Sequence, residues 1–440
     1  IILFPLFGIS KAQDTASEYF NSTILIFLGG FLLALTMEKW ELHKRISLLV
    51  IKFIGTSPYR IILGFMTATA LMSSVLSNVA TTSMMFPIAL ALVIKLTGEK
   101  SDNNTRIFAT ALMLSIAYSA SIGGIATLIG TAPNLAFQRV FEITFPNGPK
   151  FSFANWLVFG IPISIIMLIS TWFILIKVAF RVPKSLNLDS RLIDEEYRKL
   201  GKITYEEMIV GLVLSITGLL WLFRIKIDFG AFVIPGWSEI LPFSKYMDDS
   251  TVAIAMAFIL FLIPSKSGHQ KIANVELFNK VPWDIIILFG GGFALAMGFE
   301  SSGLSLKLGE IFKGLGNVNP IILMVIICFI MTFLTEMTSN TATTYTVLPI
   351  LASISIGMGV NPLIMMLPAT ISASFAFMLP VATPPNAIVY SSGYIKMKDM
   401  VRAGLYLNFV GILVVTLIFL LISFPILGID IYEIPKWLTK

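Results

Sequence analysis

Apolar runs longer than one membrane crossing, each interrupted by a short polar cluster, dominate the chain. No charged residue lies between Arg60 and Lys95, and from Gly314 to Ile395 the only charged side chain is Glu336. One spanning helix takes about 20 apolar residues, so each stretch holds more than one segment. The polar clusters recur. Ser77-Asn78, Ala80-Thr81-Thr82 and Pro87 are matched by Ser339-Asn340, Ala342-Thr343-Thr344 and Pro349, with both the Asn and the Pro pairs 262 positions apart. Gly29-Gly30-Phe31 and Gly291-Gly292-Phe293 keep that offset. A second doubled motif, Gly130-Thr131-Ala132-Pro133-Asn134 and Ala382-Thr383-Pro384-Pro385-Asn386, repeats at 252. Polar interruptions at matching points of two apolar halves are the best sequence pointer to a transporter's binding site.

Charge in the connections predicts a topology. Lys39, Lys44, Arg45, Lys52 and Arg60 follow the run Ile24–Met37, and Lys177, Arg181, Lys184, Arg191, Arg198, Lys199 and Lys202 follow Phe153–Ile176, which places both connections in the cytoplasm by the positive-inside rule. The stretch from Ile225 to Asp249 carries Asp228, Glu239, Asp248 and Asp249 against Lys226 and Lys245 and reads as external. The connections with Lys266, Lys271 and Lys280, and with Lys396, Lys398 and Arg402, return to the inside. Ile24–Met37 then runs inward and its counterpart Ile285–Met297 outward, an inverted repeat.

The fold class expected is an all-α polytopic membrane protein with two re-entrant helical hairpins and two broken helices. The first repeat covers 1–184, with its hairpin at about 60–96 and its broken helix at about 106–141. A cytoplasmic, amphipathic connector covers 185–203. The second repeat covers 204–440, with its hairpin at about 319–358 and its broken helix at about 362–394. Non-helical backbone at that depth must be buried or line a wet cavity, so the tips at Ser77-Asn78 and Ser339-Asn340 should meet near the midplane. Pro in each second motif removes a backbone donor and disfavours helical geometry before it, breaking the helix in mid-membrane.

Composition narrows the function. The 440 residues are 56% hydrophobic and 13% charged, with mean hydropathy +0.87, too apolar for a water-soluble shell. One Cys, Cys328, and two His, His43 and His269, cannot build a disulfide framework or a transition-metal site. No Gly-rich phosphate loop is present, which argues against ATP as the energy source. The net charge of +6 fits basic cytoplasmic loops, not a nucleic-acid face. An intramembrane enzyme would need a paired acid, a nucleophile with a base, or a metal cluster, and only isolated Glu336 is available. An ion channel would need rings of carbonyls or charges along a conduction path.

Asn, Ser and Thr oxygens with unwound carbonyls form a neutral oxygen set suited to Na⁺. Helix N-termini in the same place carry partial positive charge and free N–H groups for carboxylates. No Lys, Arg or His lies in the four motifs, so a dianion needs helix dipoles and co-bound cations as its counter-charge.

These motifs, in this order and spacing, resemble across the whole chain the divalent-anion/sodium symporter family, whose members carry C4-dicarboxylates, citrate or sulfate. The resemblance implies a homodimer in the plasma membrane, embedded in lipid, with no cofactor, that couples Na⁺ to dicarboxylate uptake by an elevator motion. Sodium-independent exchange, or citrate or sulfate as substrate, are the alternatives within the family, and an anion channel the one outside it. By motif, one sodium site would use Ser73, Ser77, Asn78 and the backbone at Gly130, and the other Thr335, Thr338, Asn340 and the backbone at Ala382. Substrate carboxylates would meet Asn78, Thr131, Ser339, Asn340, Thr341, Thr383 and Pro384, with Val79 at the position where the family usually has a Thr hydroxyl. Family members make crossings before the point where this chain opens in the apolar run Ile1–Ile9, so one or two preceding helices are expected.

For other conspicuous residues the ordinary reading is structural. Gly29-Gly30 and Gly290-Gly291-Gly292 are expected to be close-packing sites, His43 and His269 surface residues, and Trp156, Trp172, Trp221, Trp237, Trp283 and Trp437 mostly interfacial anchors. Glu336 is either a functional acid or a hydrogen-bonded brace for its hairpin.

Overall fold

Apolar sequence whose runs open on Ser, Asn or Asp, several followed by Pro, folds into helices from end to end. The computed structural model describes residues 2–55, 57–97, 102–184, 191–228, 233–268, 270–312, 318–431 and 433–438. The first half contains α1 (Leu3–Leu6), α2 (Ala12–Ser17), α3 (Ser22–Lys39), α4 (Leu42–Ile54), α5 (Pro58–Ser73), α6 (Asn78–Thr97), α7 (Asn103–Ile125), α8 (Ala132–Thr144) and α9 (Phe153–Phe173). After the short α10 (Arg191–Lys199) come α11 (Tyr205–Leu222), α12 (Asp249–Leu262), α13 (Glu276–Lys280), α14 (Trp283–Ser301) and α15 (Leu304–Phe312). The chain ends with α16 (Pro320–Thr335), α17 (Asn340–Met358), α18 (Pro362–Ser372), α19 (Pro384–Tyr390), α20 (Met397–Ile418) and α21 (Phe424–Leu427). Among the described residues the one sheet is a pair of two-residue strands, β1 (Ile227–Asp228) and β2 (Val233–Ile234).

Eight helices among the described residues are long and apolar enough to cross a bilayer. Local chemistry sets their ends. Ser57 before Pro58, Asn319 before Pro320 and Asn361 before Pro362 each cap a helix whose first residue needs no N–H partner. Asp102 takes the Thr105 N–H at 2.8 Å to start α7, and Thr204 with Glu207 forms a capping box on α11.

The core lies around α7 and α18, the first limbs of the two interrupted helices. Every residue of α18 is buried, and α7 is buried continuously from Phe108 to Ile125. Helices approach closely where a side chain is missing: a Cβ on Gly123 would fall 2.3 Å from the Ala70 carbonyl oxygen, and one on Gly29 would fall 2.6 Å from the Ala253 Cβ. Gly292 leaves room for the Tyr345 ring and Gly290 for Tyr19. These glycines are close-packing sites, whereas Gly30 borders open space.

Three expectations need correcting or bounding. His43 is not at the surface: it is 4% exposed, its Nδ1 3.1 Å from the Met37 carbonyl, because α4 folds back against the end of α3. Trp156 and Trp221 are not interfacial. They are 0% and 4% exposed, and their indole N–H groups donate to the carbonyls of Ile125 at 3.0 Å and Asp249 at 2.9 Å. A buried indole whose N–H is taken by the backbone carbonyl of another element is a brace rather than a membrane anchor. His269 and residues 185–190 of the connector lie outside the described residues. Residues 191–199 of the connector form α10, which buries Ile193 and pairs Asp194 with Lys52 at 2.7 Å.

Candidate functional site

Four interruptions of helical backbone converge on one place. Two are tight turns, residues 74–77 between α5 and α6 and 336–339 between α16 and α17. Two are unwound segments, 126–131 between α7 and α8 and 373–383 between α18 and α19. Between them, walled by Phe27, Phe31 and Phe289, lies a cavity of about 580 Å³. A larger cavity of about 690 Å³ lies beyond α6, away from the four interruptions, and its Lys44 and Lys199 are paired with Glu41 and Glu196.

All eight residues expected at the substrate, Asn78, Val79, Thr131, Ser339, Asn340, Thr341, Thr383 and Pro384, line the 580 Å³ cavity. Ser77, Gly130, Thr338 and Ala382 line it too. Among the described residues, no charged side chain does. The starts of α6, α8, α17 and α19 all border this space with the positive ends of their backbone dipoles; α6, α8 and α17 also bring N–H groups to it, whereas α19 opens on Pro384-Pro385, which have none, and its Asn386 N–H is taken by Thr383. Thr131 and Ser339, the N-cap residues of α8 and α17, make no side-chain bond to their own helices, which leaves their hydroxyls free for a ligand. Thr383 caps Asn386 at 3.3 Å, and Val79, 42% exposed, presents methyl groups.

Ser73 and Thr335 sit behind the turns and do not line the cavity. Ser73 Oγ lies 2.7 Å from Asn78 Oδ1 and 2.7 Å from the Ala120 carbonyl. Thr335 Oγ1 lies 2.5 Å from Asn340 Oδ1 and 2.9 Å from the Ala373 carbonyl. A hydroxyl has a single proton, so in each cluster three oxygens share one hydrogen, the condition of a neutral oxygen nest that a small cation would relieve. At the first cluster a Cβ on Gly124 would stand 2.6 Å from Asn78 Oδ1 and 3.2 Å from the Gly130 carbonyl, so the missing side chain is what lets these oxygens draw together. The Thr338 hydroxyl is taken up by the Leu334 carbonyl at 2.8 Å and Thr343 Oγ1 at 2.6 Å.

Matched amides hold the unwound segments. Asn134 Nδ2 donates to the Gly124 and Thr127 carbonyls at 3.1 and 2.7 Å, and Asn386 Nδ2 to those of Ala376 and Leu379 at 2.9 and 3.0 Å. Each member of one set is 252 positions from its partner in the other. The second segment has an additional brace. The Glu336 carboxylate, 3% exposed, accepts from the N–H groups of Phe377 (2.8 Å), Met378 (2.9 Å) and Leu379 (3.2 Å) and from Asn408 Nδ2 (2.8 Å). This is the bracing geometry that the sequence left open against a functional role.

Sequence reasoning missed the carbonyls of Ala120 and Ala373, and Gly124. A signal existed for the first two: Ser119-Ala120-Ser121 and Ser372-Ala373-Ser374 are a third doubled motif, 253 positions apart. The role of Gly124 depends on the approach of Asn78 from another helix, which no local pattern encodes.

The profile of the sodium:sulfate symporter transmembrane region matches residues 1–428. The chain belongs to the sodium:sulfate symporter family. It is therefore a multi-pass membrane transporter and not an enzyme. The sodium-dependent dicarboxylate transporter SdcS of Staphylococcus aureus (strain MRSA252) is 42% identical over 440 residues, covering 98% of this chain and 82% of that protein. SdcS of Staphylococcus saprophyticus is 39% identical over 441 residues, with the same coverage. Among solved structures, MtrF of Neisseria gonorrhoeae superposes with TM-score 0.61 over 94% of this chain and 84% of its own, at 12% identity. The Alcanivorax borkumensis YdaH transporter does so with TM-score 0.57 over 90% and 84%, at 13% identity. At such identities these likenesses concern the fold alone.

Proposed function

We propose that this symporter-family member couples Na⁺ to the uptake of C4-dicarboxylates such as succinate, malate or fumarate across the plasma membrane. The observation that carries this reading is the pairing of two three-oxygen clusters with a cavity that has no charged lining. A dianion in that cavity meets only neutral polar groups and helix N-termini, whose macrodipoles supply fractional positive charge. Cations in the clusters provide the rest. Asn78 and Asn340 belong to both environments, each presenting Oδ1 to a cluster while its residue lines the cavity. Binding of anion and cation at one amide makes each favour the other, a reciprocal coupling. Each net positive charge moved inward across 100 mV releases about 2.3 kcal/mol, so cations in excess of the dianion's charge let the membrane potential drive uptake. The dicarboxylate assignment takes further support from the SdcS relatives, whose names specify dicarboxylate.

In this reading the α5–α6 and α16–α17 pairs are re-entrant hairpins from opposite faces, the halves form an inverted repeat, and the site moves as a unit against a scaffold within a homodimer. The matched offsets in sequence and in hydrogen bonding support the repeat. Ser73, Ser77, Asn78 and the Gly130 backbone serve one sodium site, and Thr335, Thr338, Asn340 and the Ala382 backbone the other. The test is transport in liposomes. Labelled succinate should accumulate under an inward Na⁺ gradient, and Asn78→Ala or Asn340→Ala should abolish accumulation. Uptake that depends on internal dicarboxylate and ignores Na⁺ would replace symport by exchange.

A further inference from the structure

The two oxygen clusters are alike in their ligands and unlike in what lies behind them. Glu336 follows Thr335 directly and ends α16. Its two oxygens receive the N–H groups of Phe377, Met378 and Leu379 and the Asn408 amide at 2.8 to 3.2 Å. Every hydrogen-bond partner of the carboxylate among the described residues is a donor. A protonated carboxyl would turn its own O–H toward donors with no acceptor to receive it, so this arrangement is built for the ionised form. No ion pair reaches Glu336 among the described residues, and the chain from Gly314 to Ile395 holds no other charge. A buried intramembrane charge without a partner is costly, and one that persists marks a place where a counter-ion arrives.

The first half has nothing equivalent. Ser74 stands 262 positions before Glu336, and Trp156 stands 252 before Asn408. There the turn is tied to the unwound segment by a neutral bond, the Thr127 hydroxyl donating to the Ser74 carbonyl at 2.5 Å, and Trp156 of α9 donates to the Ile125 carbonyl at the end of α7 at 3.0 Å.

We propose that the cation held by Thr335, Asn340 and Ala373 is the counter-charge of Glu336, so that the two cation positions are unequal and the second fills at the lower Na⁺ concentration. Glu336 is thus a positioning residue that also acts through its charge. It fixes residues 377–379 of the unwound segment and supplies a negative charge on the residue next in sequence to the cluster's Thr335. Backbone and amide donors spread that charge without cancelling it, and the interior screens it weakly. This rests on the sodium-coupled reading above.

The experiment compares wild type, Glu336→Gln and Glu336→Asp. Two readouts are taken against Na⁺ concentration: succinate uptake in liposomes, and the rise in unfolding temperature of the purified protein. Glu336→Gln keeps the size and removes the charge, and the Na⁺ midpoint of its first rise in unfolding temperature, which reports the tighter cluster, should increase about tenfold, with the uptake midpoint rising by a smaller factor. Glu336→Asp keeps the charge and loosens the brace, and its midpoint should stay within about threefold of wild type even where its basal unfolding temperature falls. A wild-type midpoint in Glu336→Gln overturns the proposal, whatever that variant's stability. So does a tenfold shift in Glu336→Asp, which would assign the effect to geometry and stands as a test even where Glu336→Gln does not fold. A wild type whose uptake and unfolding temperature both ignore Na⁺ overturns the symport reading itself, an outcome distinct from either.

Discussion

The turn before α6 and the turn before α17 answer to one motif and are built with different materials. In both, a hydroxyl at the end of the first helix meets the amide oxygen of the Asn that opens the second, and a deeper carbonyl completes the cluster. In both, a Thr four residues into the second helix ties back to the Asn carbonyl at 2.8 Å. The first turn gains its close approach from an absent side chain, Gly124, and its anchoring from neutral groups. The second has Ala376 at the corresponding place and a buried carboxylate as anchor. The shared part is the three-oxygen cluster, and the divergent part is the means of holding it.

The comparison is most sharply broken at Gly124. Gly124→Ala puts a methyl group 2.6 Å from Asn78 Oδ1 and should lower Na⁺-driven uptake about a hundredfold, whereas Ala376→Gly should leave it within about threefold. Equal effects of the two changes in a liposome assay would remove the asymmetry. Next come the anchors. Glu336→Ala strands four buried donors and should cost about 3 kcal/mol or more, against less than about 1 kcal/mol for Ser74→Ala, as judged by thermal unfolding in detergent. The amides test sameness instead: Asn134→Ala and Asn386→Ala each free two carbonyls and should destabilise by similar amounts, about 1 to 3 kcal/mol. A large difference between them would show that the unwound segments are not equivalent. The smallest effect is expected at Val79. Val79→Thr adds a hydroxyl at the cavity wall and should lower the KM for succinate by up to about tenfold, with Thr341→Val raising it comparably.

Much of this was legible in the chain because doubled motifs report both position and role. The Ser-Asn and Pro-Asn elements located the turns, the unwound segments and every residue expected at the substrate, since polar clusters in apolar runs have few other uses. The doubled Ser-Ala-Ser motif marks the neighbourhood of Ala120 and Ala373, but the part their carbonyls play emerges only when α7 and α18 are seen to pass behind the turns. Glu336 was conspicuous as a lone acid, but its role depends on three N–H groups from an unwound segment about forty residues away. His43, Trp156 and Trp221 misled for one reason: a polar or amphipathic residue near a helix end reads as interfacial until a carbonyl from another element is found to receive it.

Calorimetric titration of succinate into the purified protein, in NaCl and then in KCl at equal ionic strength, tests most directly whether the oxygen clusters supply the dianion's counter-charge. Binding should be measurable in NaCl, vanish in KCl, and weaken at least tenfold in Ser73→Ala and in Thr335→Ala. Succinate binding of equal affinity in NaCl and KCl would contradict the account.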